Sequence, residues 1–569
     1  MRTEPDVIVI GAGAGGPVIA KELGELGIRV LVLDAGPWYG NKKWPEPNKN
    51  RGQVKESSDP KDLDGALYRN QLTRLENDMD DLINGKFRWG PADRRRSPWF
   101  RNVPDRSLLW QVSGIGGGTL HYYSNSPRAF PEAIDNEWPI SYNELIPYYE
   151  KVEATLPVEF APTTTKEALF YFGAEKAGYS MNQTLDVTST GYRPQPNAIL
   201  PPNENLMNPN YSMEEISHME GCTLSGLCGQ GCPYGPSLEK MAKRSTVVSY
   251  VPLAMETGNV SFRPNTFVTK VLTENTAGGE RRATGVEIRD TWTGETEELR
   301  AKVVVMAAGC FETPRLWLNS DLPYNSWVGR GLTNHYMDAV TGTFDESTLM
   351  EIVGSPSTYP FAGHTSGARL DYPGVGMIET LGESPGIAAQ SLFGFSQYGY
   401  NSLQQNDSNM WDQRGRLVGS ELDEAMKNYS RTLSLLIITD DEVQYSNRVE
   451  LDPHIEDEHG PVPIIHYSPS ERSKKRREEL TKIATNILRK AGAKQVHRSD
   501  LPPNYFIHIH STMRMGYVVD SSCEAYQVER LFIADNSVDY NGLGGPNPTA
   551  TTQALATRTA EKLALKYFS

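Results

Sequence analysis

Two sets of residues have the makings of a reaction site, and they lie at opposite ends of the chain. Near the start, the apolar run Val7-Ile8-Val9-Ile10 passes directly into Gly11-Ala12-Gly13-Ala14-Gly15-Gly16. A second apolar run, Val30-Leu31-Val32-Leu33, ends in Asp34, 18 residues past Gly16. Strand, glycine turn, helix, strand and acid, in that order, hold a dinucleotide in a βαβ unit. Gly11 permits the tight turn, Gly13 lets the backbone approach a pyrophosphate, and Gly16 lets the helix pack close to the strand. The helix N-terminus attracts the phosphate charge, and Asp34 stands close to where the ribose acid belongs. Near the other end, His508 and His510 alternate in a short strand over 506–510, so both point to one face. Imidazole titrates near neutrality, which makes either a candidate proton acceptor. Two structural histidines are the remaining reading.

Other clusters weigh less. The run Ser113-Gly114-Ile115-Gly116-Gly117-Gly118-Thr119-Leu120-His121-Tyr122 is dense in glycine, which means backbone pressed against a ligand or another segment. Cys222, Cys228 and Cys232 are spaced C-x5-C-x3-C. No fourth ligand is nearby and the spacing matches no standard site, so buried thiols are expected and no metal. Arg94-Arg95-Arg96 and Lys474-Lys475-Arg476-Arg477 are basic runs without interleaved aromatics, and solvated faces are expected rather than a nucleic-acid site. The tract from Ser396 through Trp411 mixes aromatics and amides; it suits a sugar entrance or an ordinary surface loop equally.

The elements that must position these residues follow from length and pattern. A chain of 569 residues needs two or three lobes. Hydrophobic residues make up 38% and charged residues 22%, the balance of a globular protein. The net charge of −15, from 56 basic and 71 acidic side chains, argues against a nucleic-acid partner. No stretch approaches the roughly 20 apolar residues of a membrane helix. The first strand begins by residue 7, leaving no room for a cleavable signal, so no membrane and a cytoplasmic location are expected.

Residues 41–105 are polar without a period and read as a long excursion that covers something, with homo-oligomer contacts as one use. A helix is expected over 142–156, with Ser141 as cap and Glu144 three later. Loops and short strands are expected over 157–235. Strands follow over 259–309, including the buried 301–309 with a helix over 312–319 after it. A strand-rich second lobe spans 340–452. A helix covers 470–491, with a capping box in Ser468-Pro469-Ser470-Glu471 and proline at its first position. A last helix runs from 549 to 563. The fold class is α/β (α+β): a split Rossmann-like lobe of 1–155, 240–335 and 500–569, and an inserted antiparallel-sheet substrate lobe of 156–239 and 336–499. Such an interrupted nucleotide lobe suggests a flavin enzyme by architectural analogy.

At this point the sequence resembles the glucose-methanol-choline (GMC) oxidoreductase family. The resemblance rests on residues 7–16 with Asp34, the glycine run at 114–122, Ala307-Ala308-Gly309, and a C-terminal block. That block holds His508-Ile509-His510-Ser511-Thr512-Met513-Arg514-Met515-Gly516, Leu531-Phe532-Ile533-Ala534-Asp535 and Asn547-Pro548-Thr549. Within the family it is most similar to the pyranose oxidase and gluconate dehydrogenase branch; the stretch 222–233 adds to the latter likeness.

The resemblance implies FAD and oxidation of an alcohol to a carbonyl, with oxygen or another electron acceptor as partner. It implies His508 as the base that takes the hydroxyl proton, with His510 the alternative, while hydride passes to flavin N5. The family has Gly-Thr where this chain has Ser511-Thr512. Asn547 matches the second catalytic position and holds the substrate oxygen, a helix cap being its plainer use. Asp535 faces the ribityl or pyrophosphate part, or is an ordinary turn aspartate. Pro548 and Thr549 open a helix toward the flavin pyrimidine oxygen. Gly116, Gly117, Thr119, Val268 and Ala308 join the cofactor contacts. His121 falls where pyranose oxidases carry their flavin-linked histidine, but Thr119-Leu120 and Tyr122 depart from the Ser-Thr and Trp of that segment. Contact with a non-covalent FAD is therefore expected, with a covalent link through His121 left open. The substrate implied is a secondary hydroxyl of a sugar or glycoside. A non-sugar alcohol, a lyase that keeps FAD without redox use, and a NAD-linked enzyme or nucleotide-binding module are the alternatives.

Overall fold

The computed structural model describes residues 4–40, 108–109, 111–203, 212, 215, 218–230, 232, 235–237, 240–291, 293–400 and 410–569. The whole of the expected excursion at 41–105, with the Arg94-Arg95-Arg96 run, and the centre of the 396–411 tract lie outside them.

A parallel sheet of five strands carries the first lobe. Its order is Leu531–Ile533, Val303–Met306, Val7–Ile10, Val30–Leu33, Val260–Arg263. The four residues of Val7–Ile10 and of Val303–Met306 are all buried, as β-branched runs flanked on both faces must be. Helix Gly16–Glu25 and helix Thr549–Tyr567 pack together against this sheet and share its core. Beside it, Thr266–Asn275, Arg281–Asp290, Thr296–Arg300 and Val528–Glu529 form a four-stranded sheet.

The second large sheet has seven strands. Its order is Gln413–Arg414, Gln495–Arg498, Asp338–Thr343, Thr432–Thr439, Gly376–Leu381, Ala368–Tyr372, Gly191–Pro194, antiparallel except for the first pair. Helix Glu471–Lys490 buries Leu480, Ala484, Ile487 and Leu488 against it, the stripe expected from a 3.6-residue period. A two-stranded ladder, Thr333–Asn334 against Ile509–His510, joins the two sheets' chain segments at the point where the histidines lie.

Several local expectations need correction. The long helix is capped by Ser470, whose hydroxyl accepts from the Ser473 N–H, so Pro469 precedes the cap instead of opening the helix. Ser141 caps its helix, but the Glu144 carboxylate turns away to Arg558 and leaves the box half made. A complete box stands instead at Thr164 and Glu167, on the helix Thr165–Lys176. That helix lies in the segment expected to hold only loops and strands; its apolar residues are too evenly spread to show a stripe. The helix after Val303–Met306 begins at Gly309, three residues early, and the last helix continues to Tyr567.

Candidate active site

Two cavities meet end to end. The first, of about 250 Å³, opens above the parallel sheet and is lined by Gly11, Gly13, Asp34, Gly117, Val268, Ala308 and Asp535. The second, of about 500 Å³, is lined by Thr119, His121, His508, Asn547, Pro548 and Thr549, and extends under the seven-stranded sheet. Ala14, Gly118, Ile507 and Asn536 belong to both walls, so the space is continuous.

The glycine turn shapes the first cavity. Gly11 has φ 103°, and a Cβ there would sit 2.3 Å from the Ala307 carbonyl oxygen. Gly13 has no atom within 4 Å of where its Cβ would be, which leaves open room beside its backbone. Gly117 presses on Gly13 from the other side: its Cβ would stand 2.6 Å from the Gly13 Cα. Gly16 and Gly116 stay off the wall. Gly16 lets the helix approach the Gly11 carbonyl, and the Gly116 N–H donates to Ala12 O at 2.8 Å, so both build the loop instead of facing its contents.

The acids beside the cavity are already engaged. Asp34 accepts from the N–H groups of Ala12 and Gly36, at 2.9 and 2.8 Å. Burial pushes its carboxyl up to about 6 against those bonds. Asp535 accepts from the Gly309 N–H, the Thr313 hydroxyl and the Ser537 N–H, capping the short turn after its strand. The turn role expected as its plainer use is therefore present, on the cavity wall. The Thr119 hydroxyl donates to Gly116 O and meets the Thr246 hydroxyl, so it braces the glycine run. His121 is half-buried at the end of that run, held down to about 3 by burial and by the charge of Lys243. Lys243 itself donates to the carbonyls of Leu120 and Cys228. Cys228 lies with Cys222 and Cys232 in a small buried cluster around Ile199 and Ala242.

The second cavity is built from side chains. His508 is half-buried with its ring on the wall. His335, a residue the sequence reading passed over, stands beside it: Nδ1 meets Nδ1 at 3.1 Å. The other nitrogen of His335, Nε2, lies 2.8 Å from the Gly542 carbonyl. A carbonyl only accepts, so His335 carries its proton on Nε2 and its Nδ1 is a lone pair. His508 must then donate from Nδ1, which leaves the lone pair on Nε2. That Nε2 stands 3.5 Å from Asn547 Nδ2. Burial and the neighbouring His335 and His510 hold His508 well below the usual imidazole range, so it is neutral at pH 7.

His510 takes no part in this face. It is fully buried, and its Nδ1 lies 2.7 Å from Asp539 Oδ2. Burial penalises charge on both partners, raising the carboxyl and lowering the imidazole. The two-residue strand Ile509–His510 begins only at 509, so 508 and 510 are not successive residues of one pleated face. Asn547 does not cap the last helix; its amide turns to His508 and donates to Glu379, while Pro548 takes the cap position without a side-chain bond. No described helix is long and apolar enough to cross a membrane.

A parallel sheet with a glycine turn, a groove above it and a histidine–asparagine pair at the groove's far end make an arrangement suited to an α/β oxidoreductase. The comparisons agree. Residues 207–337 and 444–556 match the two family models described as GMC oxidoreductase. The 6'''-hydroxyparomomycin C oxidase of Streptomyces lividus is 27% identical over 98% of this chain and 91% of its own length. The 2-methyl-1,2-propanediol dehydrogenase of Mycolicibacterium austroafricanum is 25% identical over 99% and 96%. The paromamine 6'-oxidase of Streptomyces fradiae is 26% identical over 98% and 91%. The chain belongs to the GMC oxidoreductase family, a family of FAD-binding flavoproteins, and is an enzyme acting on CH–OH groups.

Proposed function

We propose that this enzyme oxidises a secondary hydroxyl of a sugar or glycoside to a carbonyl, with FAD held in the continuous cavity. One observation carries the reading: a neutral imidazole with its tautomer fixed presents a lone pair 3.5 Å from an amide N–H donor, on an open cavity wall. A substrate hydroxyl fits that notch. Its oxygen accepts from Asn547 Nδ2–H, and its proton passes to His508 Nε2. The proton gained leaves His508 doubly protonated, with Nδ1–H still donating to His335. Asn547 holds the oxygen without competing for the proton.

The residues present fit the cofactor. Gly11, Gly13, Gly117, Val268, Ala308, Asp34 and Asp535 would hold its adenosine and pyrophosphate arm, on the loop that Gly16 and Gly116 support. Thr119, His121, Pro548 and Thr549 would meet its ring. Bound there, FAD would supply the two-electron acceptor for the carbinol hydride. The N-terminus of helix Thr549–Tyr567 would put positive backbone dipole beside such a ring. The lobe division given above, with 1–155, 240–335 and 500–569 on the cofactor side, belongs to the same reading. Relatives named for a hydroxyparomomycin, a propanediol and a paromamine support oxidation of hydroxyl groups. Anaerobic mixing with sugars, glycosides, polyols and aryl alcohols is the test. Bleaching of the flavin by a sugar class is expected, and a flavin that no alcohol bleaches would sink the reading.

A further inference from the structure

The larger cavity is charged with one sign. Among the described residues that line it are four carboxylates, Glu379, Glu383, Glu421 and Glu424, and no lysine or arginine. Glu379 lies in strand Gly376–Leu381 and Glu383 just beyond its end. The charges of both reach the Tyr123 phenol, which places them around one ring. Glu383 also acts on Tyr429. Glu379 is the member next to the histidine–asparagine pair. Asn547, Asn125 and Gln195 donate to it, and the charge of Arg369 reaches it. Glu383 has less: the Ser391 hydroxyl lies 3.3 and 3.2 Å from its two oxygens, and no described cation pairs with it. Glu421 and Glu424 stand on helix Gly419–Lys427, whose Lys427 pairs with Asp423.

Cations on adjoining elements are committed elsewhere. Lys166 pairs with Glu167 and donates to Ala362 O; Arg369 pairs with Asp371 and donates to Gln195. A carboxylate enclosed without a counter-charge is costly. Burial accordingly pushes Glu379 and Glu383 up to about 7. A second, independent feature points the same way. Asn547 Oδ1 is buried on this wall and accepts from no described group. The wall thus offers carboxylate and amide acceptors beside the rings of Tyr123, Phe395 and Tyr429. Acceptors of that charge with aromatic faces suit a cationic hydrogen-bond donor, which is an ammonium.

Resting on the alcohol-oxidation reading above, we propose that the substrate is a sugar or glycoside bearing a protonated amine, and that Glu383 receives its ammonium. The alcohol reaches His508 and Asn547 while the amine lies farther along the acidic wall. A neutral sugar would leave Glu383, which is half-buried, without its partner, so selectivity follows from the penalty for an unmatched carboxylate on the cavity wall.

Matched alcohols test this on the flavin-loaded enzyme. The methyl glycosides of glucosamine, glucose and N-acetylglucosamine form one set, and 3-amino-1-propanol with 1,3-propanediol a second. The expected kcat/KM for an amine member exceeds that of its neutral counterparts by about tenfold or more. In Glu383→Gln that ratio falls toward one, chiefly through KM for the amine, and in Glu383→Asp part of it survives. Equal wild-type rates for amine and neutral members overturn the proposal without any variant. So does a ratio that persists in a flavin-retaining Glu383→Gln protein. If neutral members bleach the flavin as fast as the amines, alcohol oxidation stands and the ammonium site falls. If no member of either set bleaches it, the alcohol-oxidation reading falls first.

Discussion

The groove above the parallel sheet and the cavity that holds His508 share a wall but are made by different means. The groove is a product of backbone: Gly11, Gly13 and Gly117 define its floor by what they lack. The cavity is a product of side chains from four distant stretches, meeting as His335, Glu379, His508 and Asn547. A backbone site tolerates almost no added atom at Gly11 or Gly117, and on its wall Asp34 is the carboxyl pushed up to about 6. A side-chain site tolerates truncation without collapse but depends on protonation and tautomer. Binding and chemistry are therefore separable here by mutation.

The largest effect expected is at the floor of the groove. Gly11→Val drives a side chain into the Ala307 carbonyl, 2.3 Å from its Cβ, and requires φ 103° from a branched residue. Purified protein should lack flavin absorbance altogether; a yellow, active variant would break the comparison at its root. Next comes His508→Ala, which should lower kcat by about 10²–10⁴-fold while flavin content stays at the wild-type level. Loss of flavin together with activity would mean that the two sites are not separable. Asn547→Ala removes the N–H that holds the substrate oxygen and should lower kcat/KM by about 10²-fold, read with the same flavin-normalised assay.

The mildest effects sharpen the electrostatic side. His508 is held well below the usual imidazole range, so it stays an unprotonated base until the pH drops below that range. The acid limb of kcat/KM for a neutral alcohol should therefore lie below about pH 6.5. A limb above that value that persists in Glu379→Gln, which removes the neighbouring carboxyl held at about 7, would contradict the buried, neutral imidazole. His335→Ala removes one of the groups that depress His508 and frees its Nδ1–H. The limb should move upward in pH, and kcat should fall about tenfold as the tautomer loosens. An unmoved limb would show that His335 merely packs.

The same contrast explains what could be read from the amino-acid order. The groove was legible because its strand–turn–helix unit is local in sequence, although Gly11 and Gly117 themselves press on Ala307 and Gly13, which are remote. His508 and Asn547 were legible only through a family resemblance. His335 was not, because its importance arises from pairing Thr333–Asn334 with Ile509–His510 and from the Gly542 carbonyl, all remote in sequence. The face shared by His508 and His510 was misread for a related reason: alternation holds inside a strand, and this one begins at Ile509. Glu379 and Glu383 gave no signal either, since a carboxylate in or just after a strand looks solvated until its surroundings are known.

The parallel sheet also sets a schedule for synthesis. Its strand Val303–Met306 is bordered on one side by Val7–Ile10, made early, and on the other by Leu531–Ile533, made near the end. A nascent polypeptide leaving the ribosome must therefore carry a bare, wholly apolar ladder edge while more than 200 further residues are translated. Chaperone demand during expression, and inclusion bodies when the last forty residues are cut away, follow from that order of emergence.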